Sequence, residues 1–282
     1  MHVMEYPDGA ALLARARELL ETKEAENNLQ LGICAGLAAS PPPAERRPYL
    51  ATVEEDGGMV AAVAVWTPPH NLVISRASAE ALAALASDLQ AREVSLPGVL
   101  APDETAESFA ELWSRQSGGS WRVTMRERIY QLTSVSPPAH PVSGRIREAA
   151  PSDLDLLVIW FRGFSTDAGL EPMSESAARR EAQRRIEQRT LFVWEDGEPA
   201  SMAATVGPTA RGVRINLVYT PPELRRRGYA SACVAALSQL LLDSGRTFCF
   251  LYADRANPTS NGIYQQIGYQ QVADVTAIAF GA

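Results

Sequence analysis

Two blocks of short apolar runs, one in each half of the chain, are interrupted by polar, glycine-containing turns. The first turn lies at residues 56–58 and the second at 195–198. The runs that flank them are 49–53 with 59–65, and 191–194 with 200–206. Apolar runs on either side of such a turn are typical of β-hairpins. The pattern therefore predicts one hairpin in each half.

The segments around the two hairpins are also alike. A long helical stretch precedes each hairpin, at residues 9–37 and 153–188, and a strand containing Asn-Leu-Val follows it, at 71–73 and 216–218. A helical pattern comes after each of these strands. The similarity favours a duplication, and chance likeness between two α/β segments is the alternative.

Residues 134–144 are rich in proline and serine and have no periodic apolar pattern, which is typical of a linker. We therefore predict a domain over 1–133, a linker over 134–144 and a second domain over 145–282. Helices interleaved with strands indicate an α+β fold, in which each domain has a mixed, mostly antiparallel sheet flanked by helices. The second half should run strand, helices, hairpin, strand, helix, strand, helix, strand.

Composition excludes several classes of function. The 282 residues are 46% apolar and carry a formal net charge of −7, which argues against general nucleic-acid binding. No signal peptide or membrane-spanning run is apparent, so we expect a cytoplasmic protein without a membrane partner. The three cysteines and three histidines lack the spacing of metal ligands, so no metal is expected.

The turn that follows residues 216–218 carries the strongest chemical signal. It contains Arg225-Arg226-Arg227-Gly228-Tyr229-Ala230 and opens an alanine-rich helical pattern. A helix N-terminus leaves backbone N–H groups unpaired and partly positive, and glycine lets the backbone approach a phosphate closely. The alternative is a solvated helix start. The corresponding segment of the first half, residues 74–79, has no glycine, so only the second half should bind the anion.

Three features in one segment resemble the GNAT N-acetyltransferase superfamily. Arg225-x-x-Gly228-x-Ala230 is similar to its acyl-CoA pyrophosphate loop, Asn257 precedes Tyr264 by seven positions, and residues 265–269 resemble the end of the family's following helix. The resemblance is specific over about 145–282 and rests on the repeat alone over 1–133. The chain thus resembles a two-domain member, with tandem GNAT-like domains of which the first is degenerate.

The resemblance implies acetyl-CoA as cosubstrate. The strand over 216–220 should bind the pantetheine arm and separate from the strand over 247–252, and a backbone N–H near Val218 should polarise the acyl carbonyl. Asn257 would bind pantetheine or cap the next helix, for which Ser260 is the favoured cap. The implied cofactor-binding residues are Leu217, Val218, Tyr219, Arg225, Arg226, Arg227, Gly228, Tyr229, Ala230, Asn257, Ser260 and Tyr264.

The resemblance also implies a general acid that protonates the departing thiolate, and Tyr264 is the candidate. Core packing is its alternative role. No carboxylate lies on the strand over 214–219, so the general base is not apparent. Asp167 and Glu171, in the loop over 164–172, are candidates for binding or deprotonating the acceptor, and solvated carboxylates or a water chain are alternatives.

The favoured function is transfer of an acetyl group to a primary amine of a small molecule or peptide by direct attack in a ternary complex. No cysteine occupies a motif position, so no acyl-enzyme is expected. The alternatives are a longer acyl donor and a non-catalytic acyl-CoA sensor or scaffold. We expect a monomer or a homodimer.

Overall fold

The computed structural model describes residues 1–40, 43, 47–137 and 141–281. Three residues of the predicted linker, 138–140, lie outside the described residues. The described chain forms two compact units that interleave along the sequence. Unit 1 contains Met1–Ile129, Ala253–Asn257 and the chain from Gln271 onward, and unit 2 contains Tyr130–Tyr252 and Pro258–Gln270. The boundaries at 133 and 145 stay a prediction of separately folding domains.

Eight α-helices and twelve β-strands are present in the described residues. In the first half they are β1 (His2–Glu5), α1 (Gly9–Thr22), α2 (Asn28–Ala39), β2 (Tyr49–Glu54), β3 (Val60–Trp66), β4 (Leu72–Ile74), α3 (Ala79–Ala91), β5 (Gly98–Pro102), α4 (Asp103–Ser117) and β6 (Ser120–Leu132). In the second half they are β7 (Arg145–Glu148), α5 (Leu154–Asp167), α6 (Glu175–Glu187), β8 (Leu191–Asp196), β9 (Glu198–Val206), β10 (Gly212–Tyr219), α7 (Tyr229–Asp243), β11 (Phe248–Asp254), α8 (Pro258–Ile267) and β12 (Gln270–Gly281).

The sheet of unit 1 has the order β1-β2-β3-β4-β5-β12. Its neighbouring strands are antiparallel except for β4 and β5, which are parallel. The last strand of the chain therefore belongs to the first unit, where Thr276 of β12 lies opposite Ala101 of β5. Alternate positions of β2 and β3 point to opposite faces. Leu50 and Val63 pack with α1 and α2, whereas Ala51 packs with α3 and α4.

Unit 2 repeats this arrangement. The strands follow the order β7-β8-β9-β10-β11, antiparallel except for the parallel pair β10 and β11. One face packs against α5 and α6 through Val193, Met202 and Ala204. Ser201, which directly precedes Met202 on β9, points to the other face, where it contacts Cys233 of α7. Each unit thus has an antiparallel hairpin followed by a strand that runs parallel to the next.

The structure confirms the predicted α+β class and both hairpins, β2–β3 and β8–β9. The long helical stretch predicted over 9–37 is divided into two helices, because α1 ends at Thr22 and α2 starts at Asn28. The polar run between them is buried at Glu24 and Asn27, where the Asn27 side chain donates to the Leu20 carbonyl. This bond satisfies a terminal carbonyl of α1 and ends the helix.

Candidate active site of unit 2

The central feature of unit 2 is the place where two parallel strands separate. β10 and β11 are in register from Gly212 opposite Phe248 to Arg214 opposite Phe250. Beyond Arg214, within this described stretch, β10 keeps its pairing with β9 and has no further register with β11. The separation expected for these strands is therefore present. It leaves an edge of β10 with backbone groups available to an extended ligand.

The end of β10 beyond Arg214 is irregular, but hydrogen bonds hold it in place. Its register with β9 shifts between Asn216 and Tyr219, and Leu217 has a φ of +51°, a left-handed conformation typical of bulges rather than of a leucine in a strand. Ser201 Oγ donates to the Tyr219 carbonyl at 3.0 Å, and Thr220 Oγ1 donates to Ser201 Oγ at 2.9 Å. These buried hydrogen bonds fix the strand end in place.

The turn after β10 ends in an open helix N-terminus. A 3₁₀ turn over Pro222–Leu224 leads to Arg226 and Gly228, which have left-handed φ values of 63° and 84°. Gly228 occupies the N-cap of α7, where no side chain accepts from the first turn and no acidic residue is present in it. A Cβ at Gly228 would lie 2.7 Å from Val142 Cγ2, so only glycine fits this backbone without a shift.

Two of the three turn arginines hold the turn itself. Arg225 Nε donates to the Thr220 carbonyl at 2.9 Å, Arg225 Nη2 donates to the Asp167 carboxylate, and its guanidinium lies 5.8 Å from the centre of the Tyr219 ring. Arg227 donates to the Glu223 carbonyl at 3.2 Å. Arg226 is exposed. The turn is therefore strongly basic, and an acidic residue of α5 is bonded to it.

The two candidate carboxylates differ in their surroundings. Asp167, the last residue of α5, forms an ion pair with Arg225. Glu171 is exposed in the connection to α6 and has no hydrogen bond or ion pair within the part of the chain that the structure describes. The Asp167 pair connects α5 to the arginine-rich turn before α7. Close packing adds to this, because a Cβ on Gly163 would lie 2.3 Å from the Tyr219 hydroxyl.

Tyr264 lies in a cluster of three tyrosines. Its ring centre is 6.2 Å from that of Tyr130 and 6.0 Å from that of Tyr269. Tyr130 donates to Asn261 Oδ1 at 2.8 Å, and the Tyr269 hydroxyl is bonded to Ser238 at 2.8 Å. In the described chain only the Tyr264 hydroxyl of the three has no hydrogen bond. Burial raises the pKa of Tyr264 to about 12, so the phenol stays protonated at neutral pH.

Three other predicted residues, Tyr229, Ser260 and Asn257, lie at the starts of α7 and α8. Tyr229 is anchored by a 2.8 Å bond to Asp196, which raises the pKa of this phenol. Ser260 does not cap α8, because the helix starts at Pro258 and Ser260 lies within its first turn. Proline suits the first helical position, which puts Asn257 directly before the helix, as the alternative prediction had it. Contacts of Asn257 and Ser260 with a cofactor stay predictions.

Sequence reasoning missed Asn216 and Ser201. The side-chain oxygen Oδ1 of Asn216 is buried and has no hydrogen-bond partner among the described residues. Ser201, which holds the bulge, is fully buried on β9. The signal was a polar residue between apolar neighbours within a strand, as in Ile215-Asn216-Leu217. Such a residue costs stability unless it is bonded.

The corresponding turn of unit 1 is closed. α3 has Ser78 at its N-cap, and Ser78 Oγ accepts from the Ala81 N–H at 3.3 Å. Glu80 follows in the first turn, where bonds from its own backbone N–H and from Ser78 hold the pKa of its carboxyl below the usual range. Arg76 pairs with Glu26 at 3.1 Å. A cavity of about 440 Å³ lies beside this helix start, lined by Arg76, Ser78 and Glu104 among others.

No helix among the described residues has the length and apolar character needed to cross a membrane. No group of three or more His, Cys, Asp or Glu side chains in that part of the chain is arranged to hold a metal ion.

Part of the second half of the chain is similar to a known protein family, and the fold is similar to that of several solved structures. Residues 195–277 match the family model described as FR47-like protein, which is GNAT-related. No significant match is found among curated proteins. The fold is similar to that of a Drosophila protein (TM-score 0.66, 13% identity, 99% of this chain and 98% of that chain).

Two GNAT proteins are similar in fold over nearly the whole chain. They are a GCN5-related N-acetyltransferase from Sphaerobacter thermophilus (TM-score 0.63, 15% identity, 98% and 94% of the two chains) and a GNAT-family acetyltransferase from Colwellia psychrerythraea (TM-score 0.56, 12% identity, 99% of each). The resemblance to the GNAT superfamily is confirmed, and the chain has the fold of these acetyltransferases.

Proposed function

We propose that unit 2 transfers the acetyl group of acetyl-CoA to a primary amine by direct attack in a ternary complex. The observation that carries this proposal is the continuity of two features. The free edge of β10, opened where register with β11 ends at Arg214, leads directly into the uncapped N-terminus of α7 at Gly228. An extended arm ending in a pyrophosphate needs these two features in that order.

The residues present fit coenzyme A. The backbone N–H groups around Gly228 would hold the pyrophosphate, and the exposed Arg226 adds a positive charge beside them. The pantetheine arm would follow Leu217 and Val218 through main-chain hydrogen bonds. Acetyl-CoA supplies an activated thioester, so the protein needs to position it, stabilise the developing oxyanion and manage protons. A backbone N–H at the bulge near Val218 would serve the oxyanion.

Tyr264 is the proposed general acid. The thiolate that leaves the tetrahedral intermediate takes the hydroxyl proton of Tyr264, and the phenolate regains a proton from solvent between turnovers. Burial favours the neutral phenol, and the hydroxyl has no competing hydrogen bond in the described chain. Both properties suit a proton donor at neutral pH.

The proton of the attacking amine needs another route. Proton acceptance by Asp167 would break its ion pair with Arg225, so we assign Asp167 to positioning of the turn. Exposed Glu171 and bulk solvent are the remaining routes. Glu171→Gln should lower the pH-independent value of kcat/KM for the amine if Glu171 is the base, and should leave it unchanged if water is.

A binding protein without turnover is the second candidate, because β10 carries no carboxylate between Gly212 and Tyr219. Release of free thiol from acetyl-CoA, measured across polyamines, aminoglycosides, amino acids and peptides, separates the two. Thiol release and an acetylated amine by mass spectrometry support the enzyme. Calorimetric binding of acetyl-CoA with no release for any amine supports the sensor. Faster release from a longer acyl-CoA would instead identify a different donor. Gel filtration with light scattering tests for a monomer or a homodimer.

A further inference from the structure

The buried amide oxygen of Asn216 has no partner that the described protein supplies. Oδ1 of Asn216 and Oδ1 of Asn27 are the two buried side-chain atoms in this condition within the described residues. Buried polar groups are nearly always hydrogen-bonded, so an exception in a strand calls for an explanation. A bound ligand that donates a hydrogen bond is one such explanation.

The location of Asn216 links this oxygen to the proposed reaction. The register of β10 with β11 ends at Arg214, and Asn216 lies two residues further along β10. It directly precedes the bulge. It therefore lies beside the part of β10 along which a thioester would run.

Cross-strand pairing shows which face of the sheet Asn216 occupies. It lies opposite Ala204 of β9, and directly opposed residues point to the same face. Ala204 packs in the core formed with α5 and α6. The arginine-rich turn leads instead into α7, which covers the other face. The amide oxygen is thus on the side opposite α7, the side of α5, which ends at Asp167 and is followed by the loop that contains Glu171.

We propose that Asn216 is a positioning residue for the attacking amine and accepts one of its N–H groups through Oδ1. This inference rests on the proposed function. A carboxamide oxygen accepts hydrogen bonds but does not take up a proton near neutral pH. Asn216 therefore orients the nitrogen lone pair toward the thioester while another group receives the proton. A neutral primary amine has two N–H groups. One can donate to Asn216 Oδ1, and the other remains for the group that receives the proton.

Replacement of the amide by an apolar group of similar size tests this role. Asn216→Leu should lower kcat/KM for the best amine by about 10- to 100-fold, the loss expected for one hydrogen bond to a reacting group. The affinity for coenzyme A, measured by calorimetry without amine, should stay the same. The melting temperature should rise, because the variant removes an unpaired buried polar group.

Asn216→Asp is the matched variant, because it keeps an acceptor oxygen in the same place. It should retain more amine transfer than Asn216→Leu and should acquire a new pH dependence as the buried carboxyl titrates. Unchanged amine kinetics in Asn216→Leu would overturn the proposal. Weakened coenzyme A binding would assign the oxygen to pantetheine, and a lowered melting temperature would assign it to a structural hydrogen bond; either result also overturns it.

Failure of the proposed function is distinguishable from failure of this inference. If the wild-type protein releases no thiol with any amine, the amines are titrated into its coenzyme A complex and thermal shifts are recorded. A thermal shift that occurs in the wild type and is lost in Asn216→Leu would support amine binding at Asn216 in a protein that does not transfer the acetyl group. An equal shift in both proteins, or no shift with any amine, overturns it.

Discussion

The turn after β4 and the turn after β10 occupy the same place in two similar sheets but present opposite chemistry. Each follows a strand that is antiparallel to its hairpin and parallel to the next strand. In unit 1, Ser78 and Glu80 fill the start of α3 with their own oxygen atoms. In unit 2, Gly228 leaves the start of α7 without a side-chain cap.

A helix N-terminus is available to an external anion only where the protein's own side chains do not satisfy its N–H groups. A capping oxygen and an acidic first turn stabilise a helix by the same interactions that would bind a phosphate. α3 therefore uses its N-terminus for stability. α7 forgoes a side-chain cap, and the surrounding arginines increase the positive potential, so an external anion is the better partner.

The largest expected effect comes from removing the Tyr264 hydroxyl, the proposed general acid of unit 2. Tyr264→Phe should lower kcat by about 100- to 10,000-fold, because the departing thiolate loses its acid, while coenzyme A affinity stays unchanged. Steady-state kinetics and calorimetry measure the two quantities. Tyr269→Phe removes a neighbouring hydroxyl that is bonded to Ser238, so it should cost stability but little kcat. Equal turnover in wild type and Tyr264→Phe would refute the acid role.

The pH profile sharpens the same point. Burial raises the pKa of Tyr264 to about 12, above the 10.0 of a free phenol, so the folded state favours the protonated form. The resulting stability is present below pH 10.0 and is lost as the pH rises through about 12. Tyr264 should therefore impose no alkaline loss of kcat before the pH exceeds 10.0. An alkaline limb below that pH that disappears in Tyr264→Phe would contradict this assignment.

The next largest effect is expected when the acidic first turn of α3 is reproduced in α7. Ser78-Ala79-Glu80 and Gly228-Tyr229-Ala230 occupy equivalent positions, so Ala230→Glu places a carboxylate where Glu80 stands in unit 1. Acyl-CoA should bind about 100-fold more weakly, since the carboxylate competes for the same N–H groups and repels the pyrophosphate.

Stability should not fall in this variant, because an acidic residue suits a helix N-terminus. Ala230→Gln, which is similar in size and neutral, should bind more tightly than Ala230→Glu. Equal affinities of the two variants would show that charge at this position does not matter.

A smaller effect distinguishes the arginines of the two turns. Arg225→Gln should weaken coenzyme A binding about tenfold and reduce its salt dependence, because one charge is lost and the bond to the Thr220 carbonyl is removed. Arg76→Gln removes the matching charge of unit 1, which pairs with Glu26, and should leave the affinity unchanged. Calorimetry at two ionic strengths measures both. Equal losses in the two variants would mean that the unit 1 turn also serves the anion.

The smallest effect concerns stability alone. Ser78→Ala removes the N-cap of α3 and should lower the free energy of unfolding by about 1 kcal/mol, as measured by urea denaturation. Coenzyme A affinity should not change. Any gain in coenzyme A binding to unit 1 would show that its closed cap is the feature that excludes the anion.

Local patterns predicted much of this molecule, and the errors depend on details that periodicity and residue preference do not reveal. The hairpins and the start of α7 depend on short-range periodicity and turn chemistry, which neighbouring residues determine. Ser260 was assigned as a cap because serine favours that position, but Pro258 starts the helix earlier. The break after Thr22 depends on a buried side-chain bond, which periodicity does not reveal.

The basic turn before α7 shows the same division between sequence and structure. By itself, the amino-acid sequence determined that unit 2 has a glycine-containing basic turn at a helix start and that unit 1 does not, because both are properties of adjacent residues. Only the tertiary structure decided that Arg225 bonds to Asp167, that β12 joins the sheet of unit 1 and that the Asn216 oxygen has no partner in the described chain. Each depends on which distant groups come within bonding distance, and packing of the whole unit sets that.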